Sequence, residues 1–369
     1  MLADLPLVIR PENLYQNLKK DVRRRDFFQK AGLAAVAAGF SLNTDMALNM
    51  FPEKHRVRRP ARLRPGATIA LIAPASPFSA EKLATARTNF SKLGLQVKEG
   101  KNLFAQNGYL AGTDEQRLAD LHRAFSDPEV EAVWCIRGGY GCTRLLPDVD
   151  FDLIRHNPKP FIGYSDVTAL HLAIHARTGL VTFHGPVAAS EFPENTLAHF
   201  RAALTDPAAR YAIRIPAETD VLPGDEFRPF VITGGVAHGR LTGGNLSLLA
   251  ALTGTDFSPS FRGKIAFIED VGEQPYRIDR MLTQLLQATD LKKAAGIALG
   301  VFSGCQPKGD GPSLTLVETL RDRLQPLGMP VIYGIPFGHV DHQATFPIGI
   351  EAELDTQAGT LTLLEAGVK

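Results

Sequence analysis

From residue 66 onward, apolar and polar positions change period in a repeating order. Thr68 to Ala73 is a short apolar run ended by Pro74, which predicts a buried strand. From Glu81 to Leu93, the residues Leu83, Ala86, Phe90 and Leu93 fall on one helical face. Thr113 and Gln116 stand at capping-box spacing ahead of a helix that carries Leu118, Leu121 and Phe125. Ala132 to Ile136 reads as the next strand, broken by Gly138-Gly139-Tyr140-Gly141. Pro160 to Gly163 reads as another, leading into a helix from Val167 to Ala176 that Gly179 is placed to end. Strands and helices in alternation predict a parallel sheet with helices on both faces. Residues 186–235 hold many prolines and little period, and read as a crossover between two domains. Beyond Gly239 strands outnumber helices: Lys264 to Ile268, Ile297 to Phe302 and Pro330 to Tyr333. Ile348 to Leu354 and Thr360 to Leu364 predict a closing hairpin that turns near Gln357-Ala358-Gly359. The expected class is α/β: an N-terminal parallel-sheet, Rossmann-like domain over 66–185 and a mixed, β-richer C-terminal domain over 236–369.

Composition removes several alternatives. A chain of 369 residues is long enough for two ordinary domains and a sizeable core. With 44% hydrophobic and 21% charged residues it is ordinarily globular, not disordered, collagen-like or a disulfide scaffold. Cys135, Cys142 and Cys305 are too few for a disulfide framework, and no pair of Cys-x-x-Cys elements suggests zinc. Charge changes the picture more. The net +1 divides into +7 over residues 1–65 and −6 over residues 66–369. A mildly acidic body argues against a nucleic-acid partner.

Within the basic stretch, Arg24-Arg25-Asp26-Phe27-Phe28-Gln29-Lys30 precedes an uncharged, Ala-dominated run from Ala31 to Leu42. That run is too short for a membrane span, which needs about 20 apolar residues. The arrangement resembles a bacterial twin-arginine export signal. Arg23 stands where Ser or Thr is usual, and Asp45-Met46-Ala47 is a poor cleavage site. A basic amphipathic helix lying on a membrane or on the protein itself is therefore the other reading. Residues 1–50 are expected to be an export signal and residues 51–65 a linker. The expected location is the periplasm, or the cytoplasm if the signal does not function.

Three places offer chemistry. Ser165, in Ile162-Gly163-Tyr164-Ser165-Asp166, sits at a strand-to-helix turn, where a hydroxyl is exposed and helix N–H groups can stabilise an oxyanion. It is not a Gly-x-Ser-x-Gly elbow, and Ser165 or Asp166 capping the helix explains the pattern as well. Arg137-Gly138-Gly139-Tyr140-Gly141 follows a strand, and its glycines allow close approach of a backbone N–H to a ligand. It lacks the features of a P-loop or of the dinucleotide fingerprint, and a plain tight turn is the alternative. Finally, Glu269-Asp270 ends an apolar strand and His339 lies in Pro336-Phe337-Gly338-His339. Ser, Glu and His in that order suit acyl transfer, with His as base and Glu fixing its tautomer.

Together these residues resemble the LD-carboxypeptidase family of serine peptidases, which includes the microcin-immunity hydrolases. The resemblance covers nearly all of residues 64–365 and runs through Arg64-Pro65-Gly66, Ile72-Ala73-Pro74-Ala75-Ser76-Pro77 and the glycine loop. It continues through Gly163-Tyr164-Ser165-Asp166, Phe183-His184-Gly185-Pro186 and Gly243-Gly244-Asn245-Leu246. Glu269-Asp270-Val271-Gly272-Glu273-Gln274-Pro275-Tyr276-Arg277-Ile278-Asp279-Arg280 and Gly338-His339 complete it. The resemblance implies Ser165 as nucleophile, Glu269 as orienting carboxylate and His339 as base, with the amides of Asp166 and Gly139 as oxyanion hole. Tyr140 and Arg277 are the expected substrate contacts. A positive group should hold the substrate carboxylate, and Arg277 and Arg280 are near enough in sequence for it but could equally be helix-surface ion pairs. The implied reaction removes the terminal D-alanine from a murein tetrapeptide without metal or organic cofactor, and a homodimer is the family expectation. The microcin branch uses an aromatic in the crossover to recognise an adenylate. Here Trp134 lies in a strand, leaving Phe192, Phe200 or Tyr211 for that role. A hydrolase of aminoacyl-nucleotide amides and a non-enzymatic exported binding protein are the alternatives.

Overall fold

Five strands, Thr68–Ile72 (β1), Gln96–Glu99 (β2), Ala132–Cys135 (β3), Phe161–Gly163 (β4) and Phe183–His184 (β5), run parallel in the order β5-β4-β3-β1-β2. They come from a computed structural model that describes residues 56–216, 225–309 and 311–369. The export-signal segment and the first part of the linker lie outside the described residues. The central strand β3, Ala-Val-Trp-Cys, is buried on both faces, as expected of a covered parallel sheet. Its side chains point alternately to two cores. Val133 and Cys135 pack with Leu118, Leu121 and Phe125, whereas Trp134 packs with Ala86, Phe90 and Phe200.

The helices over those faces begin and end where the sequence signals them. Ala80–Leu93 (α1) stops at Gly94, which takes the left-handed conformation. Asp114–Ser126 (α2) starts in the expected capping box, Thr113 Oγ1 accepting from Gln116 N and Gln116 Oε1 from Thr113 N. Cys142–Leu145 (α3) and Phe151–His156 (α4) are short, and Thr168–Thr178 (α5) ends at Gly179.

Residues 186–235 hold more than a crossover. They contain Glu194–Leu204 (α6), Tyr211–Arg214 (β6) and Phe230–Thr233 (β7). Val236–Asn245 (β8), Ile265–Glu269 (β9), Gly296–Val301 (β10) and Val331–Gly338 (β11) follow as a parallel block. Phe346–Pro347 (β12), Glu351–Asp355 (β13) and Thr360–Leu363 (β14) close the chain. Among the described residues the second sheet has the order β6-β14-β13-β8-β9-β10-β11-β7, so the crossover supplies both its edges. The α/β class, with a parallel first sheet and a mixed second one, is as expected. The short β12 instead pairs antiparallel with β5 and extends the first sheet.

Strand β8 escaped the sequence reading because Gly239, Gly243 and Gly244 break its apolar pattern. A Cβ at Gly243 would run into the backbone of Phe267, and one at Gly244 would lie 2.6 Å from Thr168. Gly243 thus marks a place where backbone approaches backbone, and Gly244 one where a side chain of α5 presses on the strand, not loop. Leu246–Leu252 (α7), Pro275–Ala288 (α8) and Leu316–Leu324 (α9) cover the second sheet. One apolar cluster joins Leu170 and Ala173 of α5 to Leu246 and Leu249 of α7 and to Ile278 of α8. The described residues from 56 to 369 thus form one compact unit. Even the linker's second half is tied down: Arg58 N donates to Gly179 O, Val181 N to Arg58 O, and Leu63 N to Leu204 O. Among the described residues no helix is long and apolar enough to cross a membrane.

Candidate active site

In the first sheet the strand order reverses between β1 and β3, because β2 lies on one side of β1 and β3 on the other. Such a switch point, at the carboxyl ends of the strands, is where open α/β sheets place their ligands. The segments that follow β1, β3 and β4 carry Ser76, the glycine loop and Ser165 respectively.

Ser165 has φ +63°, and among the described residues it is the one non-glycine with positive φ. A left-handed serine costs on the order of 1–3 kcal/mol, so its surroundings must enforce it. The chain leaves β4 at Gly163, turns through Tyr164 and enters a 3-10 turn, Ser165–Val167, that runs on into α5. Gly138 presses on this turn: a Cβ there would lie 2.9 Å from Ser165 Cβ and 3.1 Å from its Oγ. It would also lie 3.3 Å from the amide nitrogen of Asp166. That amide belongs to the first turn of a helical segment, whose N–H groups have no intrahelical acceptor. The Asp166 side chain does a different job. It is buried and accepts from Cys142 N at 2.8 Å, fastening the end of the glycine loop to the residue after Ser165. Burial pushes its carboxyl above the usual carboxylate range, the Cys142 bond opposing this.

Gly139 has φ +122°, and a Cβ there would collide with the Ser76 side chain. Ser76 Oγ accepts from Tyr140 N at 3.1 Å and so holds the glycine loop to the end of β1. The Tyr140 ring is exposed and meets Tyr109 edge-on at 5.5 Å.

On the second sheet, Glu269 is the last residue of β9 and His339 follows β11, with β10 between the two strands. His339 Nδ1 lies 2.8 Å from Glu269 Oε2. Glu269 is fully buried and Oε1 has no protein partner among the described residues, so its carboxylate is committed to the histidine. Gly338 makes the approach feasible: a Cβ at its φ of +116° would stand 3.2 Å from Glu269 Oε2 and 2.8 Å from Val301 O. Burial disfavours the imidazolium. The hydrogen bond and charge of Glu269, with a contribution from Asp270, outweigh that and lift the His339 pKa above the ordinary histidine value. The His339 ring also lies 4.9 Å from that of Tyr164, the residue before Ser165, so the segment that follows β4 and the one that follows β11 adjoin.

Several supporting residues carry little signal in the sequence. Asp270 is buried and accepts from Asn245 Nδ2, Ser247 N, Ser247 Oγ and Val271 N. Burial and the neighbouring Glu269 charge nevertheless push its carboxyl up to about 6. Its position beside Glu269 is the clue that could have flagged it. Thr196 of α6 donates to Asp341 O and accepts from Gln343 N, while Gln343 Nε2 donates to Gly338 O and Ser303 Oγ to His339 O. The helix of the crossover thus braces the segment that carries His339. No local pattern announces this role. Arg277 lies exposed on α8, with Nε donating to Tyr276 Oη and Nη1 facing Glu273. Arg280 stacks on the same tyrosine.

A family model described as LD-carboxypeptidase N-terminal domain matches residues 69–185, and one described as LD-carboxypeptidase C-terminal domain matches residues 238–354. The chain belongs to the LD-carboxypeptidase family and is a serine-type carboxypeptidase by class. It is 44% identical over 315 residues to the "Probable murein peptide carboxypeptidase" of Bacillus subtilis (strain 168), covering 84% of this chain and 95% of that one. Among solved structures it resembles muramoyltetrapeptide carboxypeptidase from Oxalobacter formigenes, with a TM-score of 0.69 and 32% identity over 80% of this chain and 98% of the other. It equally resembles an MccF-like protein from Bacillus anthracis str. Ames, with a TM-score of 0.72 and 31% identity over 83% and 99% of the two chains.

Proposed function

We propose that this carboxypeptidase hydrolyses the amide between the L-centre of a diamino acid and the terminal D-alanine of a murein tetrapeptide. Ser165 is the nucleophile, His339 the base and Glu269 the orienting carboxylate. The observation that carries the reading is the buried Glu269 carboxylate on Nδ1 of His339. A carboxylate only accepts, so Nδ1 keeps its proton and Nε2 is the basic nitrogen. Nε2 takes the Ser165 proton as Oγ attacks the scissile carbonyl, and Glu269 stabilises the resulting imidazolium. Negative charge on the carbonyl oxygen falls to the amides of Asp166 and Gly139; one such donor is worth about 3–4 kcal/mol. The imidazolium then protonates the departing D-alanine, and water clears the acyl-enzyme by the same roles in reverse. A peptide substrate is favoured over an adenylate because the crossover aromatics are committed elsewhere. Phe192 and Phe200 pack on buried Trp134, and Tyr211 Oη bonds to His199.

Mass spectrometry of a purified murein tetrapeptide incubated with the enzyme tests this. Wild type releases one alanine and Ser165→Ala, equally folded, releases none. Release at a wild-type rate by Ser165→Ala removes the serine mechanism, and no release by wild type removes the substrate.

The place of action in this proposal is the periplasm, on the strength of the Arg24-Arg25 segment ahead of its uncharged run. Replacing both arginines by lysine is expected to leave the enzyme in the cytoplasmic fraction. Unchanged partitioning assigns the segment to the amphipathic alternative.

A further inference from the structure

A carboxypeptidase must recognise a free chain end, and the two arginines suggested by the sequence for that task stand on the exposed face of α8. The structure offers another cation. Arg137, half-buried, opens the loop after β3 at the switch point. Its Nε donates to Gly138 O at 3.1 Å and its Nη1 to Pro77 O at 2.9 Å, so the guanidinium bridges the loops that follow β3 and β1. The third nitrogen, Nη2, lies 3.5 Å from where a Cβ on Gly139 would stand. Neighbouring arginines are neutralised, Arg117 and Arg144 both by Asp114. No Asp or Glu among the described residues forms an ion pair with Arg137. A half-buried cation held without a counter-ion beside the reacting centre is prepared for an anion that arrives with the ligand.

We propose that Arg137 binds the terminal carboxylate of the residue being released, and so confines cleavage to the chain end. The inference rests on the carboxypeptidase reading above. If the Gly139 amide receives the oxyanion, the released residue's carboxylate lies one residue further along, about 3.5 Å of extended chain. Nη2 is beside Gly139 and has two N–H groups to offer. Guanidinium suits the task because its other nitrogens can be anchored while one remains free, which a single ammonium cannot do.

The test compares a murein tetrapeptide with the same peptide ending in D-alaninamide. Wild type is expected to prefer the acid. Arg137→Gln should lower kcat/KM for the acid by roughly tenfold to a hundredfold, mainly through KM, and change the amide little. Arg137→Lys should keep part of the preference. If Arg137 is only a tie between two loops, Arg137→Gln slows both peptides equally and the preference survives, which overturns the proposal. Calorimetry in a Ser165→Ala background covers a variant too slow to assay: undiminished discrimination between acid and amide after Arg137→Gln overturns it too. If wild type cleaves neither peptide, the carboxypeptidase reading fails first, an outcome distinct from equal slowing.

Discussion

At the end of β4, main-chain geometry does the placing. Ser165 is held at a positive φ, Gly138 packs against it without a side chain, and Gly139 lies against Ser76. At the ends of β9 and β11, side chains do the placing. A buried carboxylate holds a histidine, a second buried carboxylate gathers four donors beside it, and a threonine from α6 braces the chain beyond His339. The first arrangement concentrates its cost in a strained backbone, the second in buried charge. The Ser165 half should therefore fail through sterics and be insensitive to pH. The His339 half should fail through electrostatics and respond to pH.

After the loss of Ser165 itself, the largest expected effect tests the electrostatic side. Glu269→Gln should lower kcat by about 10⁴-fold, because an amide can hold the histidine in the wrong tautomer. That is still less than the loss of about 10⁶-fold expected for Ser165→Ala. Its pH profile is more diagnostic than its rate. In wild type kcat/KM should fall as acid protonates His339, with the limb above the ordinary histidine value of 6.5. With Glu269 neutralised, burial dominates and the limb should move below that value. The corresponding stability runs the other way. A histidine with a raised pKa in the folded protein contributes its stability fully below the unfolded pKa and loses it as pH rises through the folded one. An unmoved acid limb would separate Glu269 from the histidine's titration.

Gly138→Ala tests the steric side. The new methyl meets Ser165 Cβ at 2.9 Å, so the loop or the serine must shift. We expect kcat to drop by about 10²–10³-fold, comparable to losing an oxyanion donor, with an unshifted acid limb. A shifted limb would show that the two halves are not independent.

Asp270→Asn should act mainly on stability. An Asn amide cannot accept on both atoms, so one N–H group must face the Ser247 donors or those of Asn245 and Val271, at about 1–3 kcal/mol. The Asp270 carboxyl sits near 6 in the folded protein. Its contribution is present below the unfolded value of about 3.8 and lost as pH rises through about 6. Denaturant titrations should show the variant's deficit narrowing over that window, and a constant deficit would contradict the burial argument.

Ser76→Ala is the mildest change. It removes the acceptor of Tyr140 N and should cost no more than about tenfold in kcat, since a net hydrogen bond is worth about 1 kcal/mol. A larger loss would mean that Ser76 touches the substrate.

Legibility in the sequence divides along the same line. Helix α2 declared its start through Thr113 and Gln116, α5 its end through Gly179, and the Ser165 turn its place between strand and helix, because those signals act within a few residues. Strand β8 did not, because its glycines answer to Phe267 and Thr168, both distant in sequence. The α6 helix was hidden by flanking prolines, and its Thr196 meets a loop 145 residues away. Arg137 stands in sequence only as the first residue of a glycine motif, since nothing local says which cations lack a partner.

The order of chemical groups along the chain, the strand–turn–helix that carries Ser165, and the glycines that let backbones approach were determined by the sequence itself, because each depends on short-range sterics and capping. That Glu269 meets His339, that Tyr164 meets His339, and that Thr196 of the crossover braces the segment beyond His339 were decided only by tertiary structure. Those contacts join positions 70 or more residues apart through the packing of two sheets, and they alone set the Glu269 carboxylate against His339, where it raises the histidine's basicity in spite of burial.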